Sequence, residues 1–309
     1  MILDKDFLTI HDLAPEDVEA ALDLATHLKA MQQGGVPHRY LEGRTLGMIF
    51  EKSSTRTRVS FEVGMYQLGG SVLFLSSHDT QLGRGEPIRD TARVLSRYLD
   101  GIMIRTYAHE TAEELAAWAT VPVINALTDL LHPCQVMADL LTMREHKGKD
   151  LSALKVAFVG DGNNMANSYL YGAAKTGMTL AVATPKTHQP DKIVVKNAMK
   201  DAKETGAKLL LTNDPAEAVK GADVIVTDTW ASMGQEDEHD ERKKIFAPYQ
   251  VNKALLKKAD RRAIVMHCLP AYRGEEITDE VFEENADVIF DEAENRLHAQ
   301  KAIMTLLMG

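Results

Sequence analysis

Residues 50–58 of the chain read FEKSSTRTR, and Val59-Ser60-Phe61-Glu62 follow. The apolar run TLGMIF (45–50) ends where this stretch begins, and helix-like sequence starts from Thr57. A strand handing over to a helix leaves unpaired N–H groups and the positive end of the helix dipole at the corner. Ser54, Thr55 and Thr57 add hydroxyl donors there, and the guanidinium of Arg56 can grip two oxygens of one anion. These residue types at this spacing suit a phosphate. Ordinary capping is the plainer reading of any single hydroxyl, and one arginine can simply pair with Glu51 or Glu62. The whole Ser-Thr-Arg-Thr-Arg set after a strand favours the anion. Arg58 stands apart, with a structural ion pair as its simpler role.

Other strand ends carry complementary chemistry. Arg105 closes GIMIR (101–105) and is expected at the same sheet edge as Arg56; a solvated strand-end arginine is the equally simple alternative. VPVIN (121–125) leads through ALTDLL to His132-Pro133-Cys134-Gln135. Proline suits a first helical turn, which sets His132 and Gln135 three apart and able to face one place. There they can donate to a carbonyl oxygen. A lone histidine is more often a satisfied structural residue, but two neighbouring anion-binding corners favour the functional reading.

In the second half, Val159-Gly160-Asp161-Gly162-Asn163-Asn164 joins a strand to a helix. The glycines are compatible with a dinucleotide fold, yet Met165 stands where the third glycine belongs, and TLAVATP (179–185) lacks an acidic residue for a ribose. Asp228 ends DVIVTD (223–228), where a turn cap is its plain alternative. Cys268 follows IVMH, and Pro270 stops that strand. A buried structural thiol is the usual case there, with a nucleophilic thiol, which would need an acyl-cysteine intermediate, as the alternative.

The elements that position these residues alternate in type. Strand-like runs fall at 45–50, 71–75, 101–106 and 121–125, then at 155–160, 179–185, 207–213, 223–228, 263–268 and DVIF (287–290). Continuous apolar strands separated by helical sequence imply parallel sheets covered on both faces. Between the two series lies the polar segment HKGKDLSA (146–153), so two α/β domains are expected, over 1–147 and 148–292. The segment 234–244, GQEDEHDERKK, reads either as a solvated loop and helix start or as a segment hinged at Gly234 beside a site. Along the helix after the first corner, Val59, Val63 and Tyr66 form one ridge and Phe61, Met65 and Leu68 another, which predicts burial on two sides.

Composition narrows the function classes. The 309 residues are 45% hydrophobic and 26% charged, as expected of a globular protein, and the net charge of −10 argues against nonspecific nucleic-acid binding. No apolar run approaches the roughly 20 residues of a membrane span. The acidic start MILDKDFLTIHDL is unlike a signal peptide, so a cytoplasmic location is expected. Two cysteines and no CxxC pair imply neither a disulfide nor a structural zinc site.

Taken together, Ser54-Thr55-Arg56-Thr57-Arg58, His132-Pro133-Cys134-Gln135 and His267-Cys268-Leu269-Pro270 resemble the aspartate/ornithine carbamoyltransferase family. Gln81-Leu82-Gly83-Arg84-Gly85-Glu86 and Asp228-Thr229-Trp230-Ala231-Ser232-Met233-Gly234 are similar to its ornithine branch. The resemblance spans nearly the whole chain, with the motifs in family order. It implies two parallel-sheet domains with the active site in the cleft between them, a C-terminal helix (about 293–309) packed back on the first domain, and transfer of a carbamoyl group from carbamoyl phosphate to L-ornithine. Ser54, Thr55, Arg56 and Thr57 would hold the phosphate. Arg105, His132 and Gln135 would contact the carbamoyl group, with Pro133, Cys134, Cys268, Leu269, Gln81 and Arg296 completing that set. The family pattern ties no chemistry to Cys134. Asn164, Asp228, Ser232 and Met233 would hold ornithine, and Arg105, His132, Asp228 and Cys268 would carry the catalysis. The resemblance further implies a homotrimer in which the 77–87 loop reaches a neighbouring subunit's site. The chemistry demands no metal or organic cofactor. A nicotinamide-dependent oxidoreductase and a non-enzymatic ligand-binding protein are the rival classes.

Overall fold

A computed structural model of the chain describes residues 5–76, 85–231 and 239–309. The chain divides into two compact units, Met1–Leu141 with Asn295–Gly309, and Thr142–Glu294.

In the first unit the apolar runs become β1 (Thr45–Phe50), β2 (Ser71–Ser76), β3 (Gly101–Arg105) and β4 (Val123–Leu127). They form a parallel sheet in the order β2-β1-β3-β4. The inner strands are buried almost throughout, as uninterrupted apolar runs require. The crossovers are α2 (Thr55–Gln67), α3 (Ile88–Leu95) and α4 (His109–Trp118), while α1 (Pro15–Gln33) precedes the first strand and α5 (Pro133–Lys147) follows the last. One side of the sheet packs Ile49, Ile102 and Ile104 against Ala112 and Leu115 of α4.

The expectation that α2 is buried on two sides does not hold. Phe61, Met65 and Leu68 are fully buried, whereas Val59, Val63 and Tyr66 are exposed, Tyr66 by 81%. Two apolar ridges fix the amphipathic period but not how many of them find cover within the same chain. β2, at the sheet edge, exposes Leu73 and Phe74 as well.

The second unit holds β5 (Lys155–Val159), β6 (Thr179–Ala183), β7 (Lys208–Thr212), β8 (Val224–Thr227) and β9 (Ile264–His267) in the parallel order β7-β6-β5-β8-β9. Its helices include α6 (Asn164–Thr176), α7 (Lys192–Thr205), α8 (Pro215–Val219), α9 (His239–Phe246), α10 (Lys253–Leu256) and α11 (Asp279–Glu284). DVIF (287–290) is not a strand: it opens α12 (Ala286–Met308). Four apolar residues cannot distinguish a strand from a buried helical turn. The buried positions Val288, Ile289, Glu292, Asn295 and Arg296 show the helical period once the window is lengthened, and from His298 to Met304 the helix is buried all round.

In α12 the fully buried Lys301 donates from Nζ to Gln32 Oε1 and Gln67 Oε1, both at 2.9 Å, and to His38 Nε2 at 3.1 Å. Burial pushes this amine down to about 8. Among the described residues no helix is long and apolar enough to cross a membrane.

Both sheets turn in opposite directions from a central pair of strands, β1 with β3 and β5 with β8. At such a switch point the connections diverge and open a crevice beyond the carboxyl ends of the strands. The candidate residues gather at these two places.

Candidate active site

At the first switch point Phe50 stands opposite Arg105, and the Glu51 amide donates to the Arg105 carbonyl at 2.9 Å. The neighbouring ladder slips: Ile104 pairs with Asn125 but Arg105 with Leu127. An extra residue of this kind re-aims the side chains at a strand end. The α2 helix begins at Thr55, two residues before the sequence pattern indicated. Ser54 is its cap, with extended backbone and Oγ accepting from the Thr57 amide at 3.2 Å. Thr57 Oγ1 in turn receives Arg296 Nη2 from α12 at 3.2 Å. Arg296 Nη1 donates to Gln135 Oε1 at 2.6 Å, and Gln135 Nε2 donates to Asp139 Oδ1 at 2.8 Å.

The arrangement therefore brings together α2, α5, α12 and the end of β3. His132 lies among them, 6% exposed, with Pro133 as the first residue of α5. Burial holds its pKa well below the ordinary histidine range, and the positive charges of Arg296, Arg105 and Arg56 push the same way. A neutral imidazole within the field of three guanidinium groups makes a cationic pocket that also presents a hydrogen-bonding ring. It can bind an anion and donate to an adjoining carbonyl without a positive charge on the ring itself.

Arg58 takes the structural role. It lies 3.4 Å from Glu62, and its guanidinium stacks over Phe74 at 3.9 Å. Glu51 accepts from Thr106, and Lys52 pairs with Asp129 while sitting 4.3 Å above the Tyr107 ring. Cys134 is fully buried, and its thiol donates to the Asn125 carbonyl at 3.4 Å. Burial pushes that thiol up to about 12, so it stays neutral.

At the second switch point Asp228 follows β8 and is 8% exposed. Its Oδ1 accepts from its neighbour Thr229's amide at 2.7 Å and from Cys268 Sγ at 3.1 Å. Its Oδ2 accepts from Asn163 Nδ2 at 2.8 Å. Asn163 also caps α6, with Oδ1 accepting the amides of Met165 and Ala166. Asn164 is the first residue of α6, beside this cluster in sequence. A carboxylate has about four acceptor sites, so Asp228 retains capacity for an incoming ammonium. Leu269, next to Cys268, has a left-handed backbone with φ 61°.

Residues 152–307 match the family model described as "Aspartate/ornithine carbamoyltransferase, Asp/Orn binding domain", and residues 5–145 match the "carbamoyl-P binding domain" of the same family. The chain belongs to the aspartate/ornithine carbamoyltransferase family. Among its relatives, the ornithine carbamoyltransferase of Carboxydothermus hydrogenoformans is 62% identical over 99% of this chain and 98% of the relative. The solved ornithine carbamoyltransferase of Pyrococcus furiosus superposes with a TM-score of 0.95 at 54% identity, covering 99% of this chain and 97% of that one. The anabolic enzyme of Campylobacter jejuni gives 0.93 at 45%, covering 98% and 99%.

Against the residues expected of an aspartate/ornithine carbamoyltransferase, one group converges in the first unit: Ser54 and Thr57 on α2, Arg56, Arg105, His132, Gln135 and Arg296. In the second unit Asp228 and Cys268 meet directly. Gln81, Ser232, Met233 and the Gly234 hinge lie outside the described residues. Three participants gave no signal of their own in the sequence. Asn163 was hidden behind Asn164, and Asp161 and Arg242 form a buried ion pair. Arg242 comes from the stretch read as a solvated charge run, yet is 5% exposed; it also donates to the Trp230 carbonyl and lies 5.2 Å from the Phe246 ring centroid. Only the helical spacing of Arg242 with Phe246 hints at an inward-facing side.

Proposed function

We propose that the chain is an ornithine carbamoyltransferase, transferring the carbamoyl group of carbamoyl phosphate to the δ-amine of L-ornithine to give L-citrulline and phosphate. The observation that carries the reading is the convergence of Arg296 with Thr57 and Gln135 at the Ser54-capped start of α2, beside the buried His132. Phosphate sits at the α2 terminus, held by Ser54, Thr55, Arg56 and Thr57. The carbonyl oxygen faces Thr57, Arg105 and His132, where donors aimed at a developing oxyanion lower the barrier most. Gln135 is oriented toward the carbamoyl group by its bonds to Arg296 and Asp139.

Ornithine binds in the second unit, with Asp228 opposite its α-ammonium and Asn164 beside its backbone charges. Ser232 and Met233 close over it in this reading. A free amine of this type has a pKa near 10.4, so the site has to favour its neutral form. Cys268 and its backbone orient the δ-nitrogen. The nitrogen lone pair then attacks the carbonyl carbon, the bond from carbon to the phosphate oxygen breaks, and the departing phosphate accepts the proton that nitrogen loses. Every atom and electron pair is accounted for without a redox or metal partner.

Exposed apolar side chains on α2 (Val59, Val63, Tyr66) and β2 (Leu73, Phe74) support self-association. The assembly we propose is a homotrimer, with Gln81 completing a neighbouring copy's carbamoyl phosphate site. A cytoplasmic location fits both substrates.

Steady-state citrulline formation tests the reading. Arg56→Ala is expected to lower kcat/KM for carbamoyl phosphate by about 10²–10³-fold, and Asp228→Asn to impair ornithine turnover far more than carbamoyl phosphate binding. Near-parent citrulline formation by Arg56→Ala, or a parent enzyme that prefers aspartate or putrescine in a panel of acceptors, would sink it.

A further inference from the structure

His267 immediately precedes Cys268, and its ring is completely buried. Its Nδ1 accepts the Leu269 amide N–H at 2.9 Å, across Cys268. A nitrogen that accepts an amide hydrogen carries a lone pair, so the ring proton resides on Nε2. Nε2 points at Glu276 Oε1, 2.9 Å away, and the same oxygen accepts the Tyr272 amide at 2.7 Å. Glu276 is fully buried, and its Oε2 has no hydrogen-bond partner among the described residues. The backbone of His267 is held as well, with its N–H donating to Glu292 Oε2 at 2.8 Å.

We propose that Glu276 is a positioning residue for the amine-orienting turn. A carboxylate only accepts, so it admits a single tautomer of His267. That tautomer presents Nδ1 to the Leu269 amide and holds Leu269 in the left-handed conformation that residues with a side chain rarely adopt. The turn so held carries Cys268, whose thiol meets Asp228 Oδ1 at 3.1 Å. Rotating or re-protonating His267 would set an N–H against an N–H at Leu269 and release the turn. Glu276 touches no substrate in this scheme; it acts through His267 and Leu269. The inference rests on the proposed role of Asp228 and Cys268 toward ornithine.

The test combines spectroscopy and kinetics on the full-length enzyme. Nitrogen-15 spectra of the imidazoles are expected to show His267 neutral with its hydrogen on Nε2; a hydrogen on Nδ1 overturns the proposal. Glu276→Leu is expected to raise the ornithine KM at least tenfold while the carbamoyl phosphate KM stays within twofold. Glu276→Gln, which can still accept through its amide oxygen, is expected to return the ornithine KM to within threefold of the parent. A folded Glu276→Leu enzyme with parental ornithine KM overturns the proposal. Should that variant fail to fold, the parent's imidazole spectrum decides alone. Asp228→Asn is run alongside: an ornithine KM moved by Asp228→Asn but not by Glu276→Leu removes only the role of Glu276. The opposite pattern removes only the reading of Asp228.

Discussion

Replacing Gly162 by alanine isolates one tight backbone crossing and asks what it controls. The Gly162 amide donates to the His188 carbonyl at 3.0 Å, so the loop after β5 lies directly against the 188–190 segment. A Cβ added at residue 162 would come within 2.5 Å of the His188 oxygen, the Gln189 carbonyl carbon and the Pro190 nitrogen, where ordinary contact begins near 3.4 Å. All three obstacles are backbone atoms, so no side-chain rotation relieves the overlap and the two segments have to part by roughly 1 Å. Overpacking of this kind costs about 1–3 kcal/mol, and rigid neighbours place Gly162→Ala at the upper end. The same displacement would stretch the bond from Asn163 to Asp228, now 2.8 Å, beyond hydrogen-bonding range. Misplacement by about 1 Å costs on the order of 10²-fold in rate. We therefore expect unfolding in urea to show a loss of about 3 kcal/mol. Saturation kinetics should show kcat/KM for ornithine down by about 10²-fold with the carbamoyl phosphate KM within about twofold, since uniform effects on both substrates are not anticipated. Parental stability together with parental ornithine kinetics would refute the reasoning.

Arg296→Met removes the two charge-assisted bonds to Gln135 and Thr57; urea unfolding should show a loss of about 2–3 kcal/mol and assays a raised carbamoyl phosphate KM. Cys134→Ala should leave kcat within about twofold, because the thiol is neutral, buried and bonded to a core carbonyl; alkylation of the native parent should label Cys268 and spare Cys134. Asp161 supplies a pH signature. Burial, only partly offset by Arg242, pushes its carboxyl up to about 6. From about pH 4 to 6 the folded chain thus holds a proton that the unfolded chain has released. Stability from this group is complete below about pH 4 and lost as pH rises through about 6, a swing of about 3 kcal/mol. The difference in unfolding free energy between the parent and Asp161→Asn should change with pH in that interval and be flat above it.

The sheet strands were legible because uninterrupted apolar runs flanked by turn residues admit few other folds. VPVIN shifted two residues, to Val123–Leu127, since the ladder and not the proline fixed its start. DVIF misled because four residues sample too little of a helical period. The carbamoyl phosphate corner was readable because its donors are local in sequence and chemically unusual together. What could not be read was long-range. Arg296 entered only through the family resemblance, and nothing around it in the sequence shows that it reaches Thr57 across 239 positions and Gln135 across 161. Likewise Arg242 finds Asp161 across 81, and a charged run gives no sign of which member turns inward. The sense of Gly162 changed too: a glycine that resembled part of a phosphate loop is there because another backbone passes behind it.

The buried amine of Lys301 bears on how the chain is made. Its three partners lie 269, 263 and 234 positions earlier, and the first unit is split in sequence around the second. A ribosome releasing the chain from its first residue therefore delivers every residue of the second unit before the part of α12, from Asn295 onward, that closes the first. Until α12 arrives, Gln32, His38 and Gln67 have no ammonium to surround, and the His132 pocket lacks one of its three arginines. A nascent chain would thus hold every residue of the second unit while the first still lacks its closing segment, and the anion pocket would be complete only once Arg296 has been made.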